Sequence, residues 1–333
     1  MVKHFFDRQN KKGVNLGIQY ALFLLITFCR SYSCIAQNPA PVFKIIPLGI
    51  YGGADESNLS CYMLGVKGSE KYVCLDAGTI HAGIVKATEK KAFPSSENIL
   101  KKNIQGYLIS HPHLDHVAGL IINSPDDSSK NIYGLPFCLD VIQDKYFSWK
   151  NWANFGDRGE APQLKKYHYV YLNPDSVTAL TNTSMSVRAF ELSHSSPYKS
   201  TAFLIKNGDA YILYLGDTGS DEIEKSSKLR DLWTAIAPLI KANQLRGIFI
   251  ETSFPNEQPA GKLFGHLTPA LLLKEMQQLA TFSDINNLRK VSIVITHIKP
   301  NANNEATIKK QLKEGNAAQL KLVFPGQGIL MEL

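Results

Sequence analysis

At 333 residues and 44% hydrophobic content the chain can bury a sizeable core, either as one large domain or as two ordinary ones. Its formal charge of +7 is mostly a property of the first 36 residues, which hold Lys3, Arg8, Lys11, Lys12 and Arg30 against one acid, Asp7. The remainder carries +3, which excludes a composition-level case for binding nucleic acid polymers and leaves small anionic substrates open.

In chain order, the basic start runs into an apolar stretch from Tyr20 to Cys29 and then into Ser33-Cys34-Ile35-Ala36-Gln37. That is the layout of a secretory signal peptide, with cleavage expected after Ala36 and export to the periplasm or beyond the cell. A bilayer-spanning helix needs about 20 apolar residues, roughly twice this run, so no transmembrane anchor is expected. Cleavage before Cys34 followed by acylation is a second outcome, although Ser31-Tyr32-Ser33 makes a poor lipobox. Cys61, Cys74 and Cys138 remain, too few for a disulfide framework and placed in apolar runs that suit buried thiols.

Residues 37–333 show no repeat or long linker, and a single catalytic domain is expected. Strands are predicted at Val42–Leu48, Cys61–Val66 and Tyr72–Asp76, a helix over Ile80–Lys90, and a strand Ile104–Ser110 that leads straight into His111-Pro-His-Leu-Asp-His116. Further on, Ser186–Leu192 ends near His194, and Asn207-Gly208-Asp209 joins two apolar runs as a hairpin turn does. The runs ending at Leu215, Ile250 and Ile295 are followed by Asp217, Glu251 and His297. Several strands therefore deliver His, Asp or Glu at their ends, which is how a rigid scaffold converges polar groups on one rim.

Three imidazoles and a carboxylate within six residues are too polar for a core and too dense for a neutral loop; a cation accounts for them. Side chains two apart in an extended segment face the same way, so His111 and His113 suit one metal, and the turn that follows brings Asp115 and His116 to a second. His194 and His297 are the candidate third ligands, with Asp217 as a shared carboxylate. Two divalent ions are expected, zinc first, with manganese or iron as alternatives. Asp76, in Leu-Asp-Ala-Gly, either orients a ligand imidazole or caps the helix that follows.

His111-Pro-His-Leu-Asp-His116 resembles the signature of the metallo-β-lactamase superfamily, which implies an α/β fold, an αββα four-layer sandwich with a dinuclear site along one edge. The longer stretch His113–Pro125 is similar to that of the class II cyclic-nucleotide phosphodiesterases. Gly52–Ser60, Phe147–Phe155 (with Ala153 where a proline is usual), Ile250–Asn256, Leu263–Pro269 and Thr296–Pro300 resemble further segments of that family.

The resemblance implies metal-dependent hydrolysis of 3′,5′-cyclic nucleotides, cyclic AMP first with cyclic GMP as a second candidate, to nucleoside 5′-monophosphates. A hydroxide held between two metals, steadied by Asp115 or Asp217, would attack phosphorus in line. His266, outside the ligand set and titrating near neutrality by type, is the expected proton donor to the leaving 3′-oxygen, and Glu251 the residue that orients it. Trp152, Phe155 and Phe254 are expected to stack on the base, and Asn58 and Asn154 to read ribose or base edges. The partner is then a small-molecule cyclic nucleotide, and a homodimer is one expected assembly. Two alternatives use the same residues: an ester, lactone or lactam hydrolase of this superfamily, and a non-catalytic periplasmic nucleotide-binding protein. The accessory segments weigh against the first, and the complete set of seven ligands against the second.

Overall fold

The structure, a computed structural model, describes residues 40, 42–301 and 303–333. The predicted export signal at 1–36, with Cys34, lies outside them. Everything described beyond Ala40 belongs to one compact unit, Pro41–Leu333, and no helix among the described residues is long and apolar enough to cross a membrane.

In the first strand, β1 (Phe43–Gly49), alternate side chains leave on opposite faces. Phe43 and Ile45 enter one hydrophobic cluster, Ile46 and Leu48 another. That two-sided burial recurs through β2 (Cys61–Val66), β3 (Tyr72–Leu75) and β4 (Ile104–Leu108), while β5 (Lys130–Gly134) and β6 (Tyr167–Tyr171), towards the sheet edge, carry polar positions such as Asn131 and the exposed His168. The second half of the chain adds β7 (Thr178–Ala179), β8 (Ser186–Ser193), β9 (Lys199–Asn207), β10 (Ala210–Leu215), β11 (Leu245–Glu251), β12 (Ser292–Thr296) and β13 (Lys321–Val323), of which β10, β11 and β12 are the most fully buried. The chain end, β14 (Met331–Glu332), returns to pair with β1.

Two seven-stranded sheets result, in the orders β14-β1-β2-β3-β4-β5-β6 and β13-β12-β11-β10-β9-β8-β7. Their inner faces share a core that includes Phe43, Tyr62 and Leu64 from one sheet and Phe203, Ile212 and Phe249 from the other. The helices His81–Glu89 and Leu114–Asn123 cover the outer face of the first sheet. Lys228–Lys241, Pro269–Phe282 and Asn304–Gly315 cover that of the second. These are the four αββα layers that the resemblance implied. Cys61, Cys74 and Cys138 are buried free thiols, as their apolar surroundings suggested.

Strand direction places the site. β3 and β4 are parallel, with Leu75 opposite Leu108, so Asp76 and the His111 loop emerge from the same edge of the first sheet. β10, β11 and β12 are also parallel, with Glu251 opposite Thr296, so Asp217, Glu251 and His297 emerge together from the second.

Candidate active site

The polar residues delivered by the two sheets meet at that shared edge. His111, His113 and His194 form one group whose ligand atoms lie within 4.8 Å of one another; Asp115, His116 and His297 form a second, and His111, His116 and Asp217 join them. All seven residues expected at the metals are thus in one cluster. His113 is its exposed member, whereas His111, His116, His194, Asp217 and His297 are buried.

The donor set fits divalent cations. His111 Nε2 is buried without a hydrogen-bond partner. His116 Nε2 and His297 Nε2 stand 3.1 Å apart, and His297 Nε2 is 3.2 Å from both Asp115 Oδ2 and Asp217 Oδ2. Facing imidazole nitrogens with carboxylate oxygens around them call for positive charge between them.

The outer ring nitrogens are tied down. His116 Nδ1 donates to Asp76 Oδ2 at 2.7 Å, His194 Nδ1 to the Gly265 carbonyl at 2.9 Å, and His297 Nδ1 to Ser253 Oγ at 3.0 Å. Each bond turns Nε2 inward, the orientation a metal ligand needs. Asp76 is thus bonded to an imidazole of the cluster rather than to the start of the helix that follows. It is fully buried and also accepts from Ser110 N (2.7 Å), Ser110 Oγ (2.8 Å) and Tyr214 Oη (2.6 Å).

Electrostatics divide the imidazoles. Burial and the His116 charge hold His111 well below the usual histidine range. Partial burial beside His194 brings His113 to about 4, and burial lowers His194 as well. His116 goes the other way, because Asp217, Asp76 and Asp115 outweigh its burial. Burial opposes ionisation of Asp217, but His297 and His116 keep it a carboxylate; His116 and His297 do the same for Asp115.

His266 sits beside this group with a partner of its own. Its Nδ1 donates to Glu251 Oε1 at 2.7 Å, and Glu251 also accepts from Thr218 N, Ser253 N and Ser253 Oγ. The pair is buried, yet Glu251 outweighs that burial and raises the His266 pKa. Glu251 is lowered in turn by His266, again against its burial.

The residues expected at the nucleoside divide differently. Phe254 lies beside the cluster, its ring centroid 5.8 Å from that of His266. Asn154 is fully buried and braces its own loop: both amide hydrogens go to the Arg158 and Glu160 carbonyls, and Oδ1 accepts from Gly156 N. Its amide is thus engaged within its own loop rather than at the cluster. Asn58 Oδ1 accepts from Ile50 N at 3.0 Å, a staple across the loop between β1 and β2. Phe155 packs against Phe147, and Trp152 donates Nε1–H to Ser124 Oγ. None of these contacts reaches a cluster residue.

Other participants escaped sequence reasoning. Ser253 links Glu251 to His297 through one hydroxyl. Gly53 N donates to Asp115 Oδ2 at 2.9 Å. Beside it, a Cβ on Gly52 would lie 2.2 Å from His297 Cε1, so only glycine lets the loop approach. Tyr198, 64% exposed, places its ring 6.1 Å from that of His113. The Gly-Gly pair and the Glu-Thr-Ser run were visible signals, whereas Tyr198 had none. Backbone strain also gathers here: Asp76, Ser195, Phe264 and His297 all have φ between +52° and +56°.

A family model described as cAMP phosphodiesterases class-II matches residues 95–323. The chain is 42% identical to a 3′,5′-cyclic-nucleotide phosphodiesterase of Aliivibrio fischeri, over 92% of this chain and 97% of that protein. Among solved structures, unliganded yeast PDE1 superposes with a TM-score of 0.76 at 24% identity, covering 88% of this chain and 100% of that one. The metallo-β-lactamase fold protein YhfI of Bacillus subtilis gives a TM-score of 0.58 at 16% identity, covering 87% and 99%. With its αββα sandwich and a histidine-carboxylate cluster at the sheet edge, the chain belongs to the class-II cAMP phosphodiesterase family.

Proposed function

We propose that this enzyme hydrolyses 3′,5′-cyclic nucleotides, cyclic AMP foremost, to nucleoside 5′-monophosphates. His111, His113 and His194 would hold one divalent ion and Asp115, His116 and His297 another, with Asp217 shared and zinc the preferred metal. The observation that carries this reading is the set of inward-facing Nε2 atoms, each fixed by a bond at the opposite ring nitrogen. Two bound ions would supply a nucleophile at neutral pH and absorb charge on phosphorus.

The chain's own residues do the rest. Asp76, Gly265 and Ser253 fix three ligand rings, and the Gly53 amide fixes the Asp115 carboxylate. Glu251 accepts from His266 and raises its pKa, which suits the imidazole to protonate the departing 3′-oxygen. Phe254 offers a face on which the base can stack. The basic, apolar and small-residue order of residues 1–36 supports export of the enzyme.

The test is hydrolysis of 3′,5′-cyclic AMP with the product identified and a chelator-treated control. Chelator-sensitive release of 5′-AMP is expected. No turnover by protein carrying two metals per chain sends the assignment back to the ester and lactam hydrolases of this fold.

A further inference from the structure

Beside the cluster stands one cation that neither the ligand set nor the His266–Glu251 pair uses. Lys299 follows His297 by two residues, and its backbone is fixed at both ends: its N–H donates to the Ser253 carbonyl (3.2 Å), and its own carbonyl accepts from Asn304 Nδ2 (3.3 Å). The side chain is half-buried and turns back along the site. Its Nζ lies 5.9 Å from the centroid of the Phe254 ring, which itself packs on His266. On the other side the same Nζ is 3.7 Å from where a Cβ on Gly53 would be, and the Gly53 amide holds Asp115.

Among the described residues this ammonium has no hydrogen-bond or ion-pair partner. An aromatic face positions a cation without neutralising it, so the full charge remains for a ligand. Other lysines near acids behave differently: Lys130 is bound to Asp127, and Lys309 to Glu305. The Lys299 ammonium therefore lies between the Phe254 ring, which packs on His266, and Gly53, whose amide holds Asp115, on the side from which an anionic phosphodiester would reach this cluster if it is the hydrolytic centre.

We propose that Lys299 is a substrate-binding residue whose ammonium grips a non-bridging oxygen of the nucleotide phosphate, while its stem and Phe254 frame the base side of the pocket. The inference rests on the reading of the cluster given above. It makes binding of the anion salt-dependent through one identifiable charge, because a partly exposed ion pair is screened by added salt.

The experiment compares metal-loaded wild type with Lys299→Met and Lys299→Arg, with metal content measured for each, and follows kcat and KM for 3′,5′-cyclic AMP from low to high ionic strength. Lys299→Met is expected to raise KM about tenfold at low salt, the typical loss for one charge-assisted hydrogen bond, with a smaller change in kcat. Its KM should also climb less steeply with salt than that of the wild type. Lys299→Arg, which keeps the charge, should restore most of the affinity and the slope. A Lys299→Met enzyme with wild-type KM overturns the proposal. So does one whose KM rises while its salt slope is unchanged, since that is the signature of lost packing on Phe254. Failure of the underlying reading looks different: wild type itself would then show no chelator-sensitive turnover.

Discussion

Replacing Asp76 by asparagine keeps the volume and removes one acceptor at the most connected carboxylate of the site. The two hydroxyls can adapt. Tyr214 Oη already lies 3.2 Å from Ser60 Oγ and can donate there while accepting from the new amide, and Ser110 Oγ can likewise reverse. His116 cannot. Its Nδ1–H would face an N–H, and it either stays unpaired or moves its proton to Nε2, the atom 3.1 Å from His297 Nε2 and 3.4 Å from Asp217 Oδ1. A stranded buried donor costs about 1–3 kcal/mol of stability. The tautomer shift instead blocks a ligand atom, and losing such an orienting partner weakens metal affinity about 10–100-fold, or roughly 1.4–2.8 kcal/mol. Chelator competition gives the metal affinity, and thermal unfolding of metal-free protein gives the stability. Asp76→Asn protein that matches the wild type in both refutes the orienting role.

Further outcomes follow from other contacts. Gly52→Ala puts a methyl into the His297 ring, and turnover should fall by about 100-fold or more with the circular dichroism of the fold retained. Glu251→Gln removes the charge that raises the His266 pKa against its burial, so the imidazolium is lost at lower pH. The basic limb of the kcat–pH profile should accordingly move down; an unmoved limb excludes His266 as the proton donor. Asn154→Ala breaks three bonds that brace residues 154–160, and should lower stability by about 1–3 kcal/mol while leaving KM for cyclic AMP unchanged.

The sequence made most of the cluster legible because its residues stand where strands stop. A run such as Ile104–Ser110 announces a strand by its apolarity, and the polar residues after it announce an edge. The four layers were readable less from the runs themselves than from the likeness of the motifs. The nucleoside side was much less accessible. Asn154 and Phe155 lie in a segment whose aromatic content suggests binding, but an amide in a loop can serve the loop's own carbonyls as readily as a ligand, and only the fold decides which. Tyr214 was hidden for another reason. It comes from the second sheet to meet Asp76 of the first, 138 residues away, and no local pattern encodes a contact across a sandwich. Ser253 acts through a single hydroxyl placed between two histidines, a matter of fractions of an ångström that spacing along the chain does not carry.

The division of the ligands between two sheets bears on the order of events during maturation. His111, His113, Asp115 and His116 come from the first sheet; His194, Asp217 and His297 come from the second. Neither sheet alone owns a complete set for either proposed ion, so a chain with only one half formed would offer partial, weaker sites. Tight binding of a metal would then need both halves closed on each other, and such an ion would act as a rivet between them, adding its binding free energy to the folded state alone.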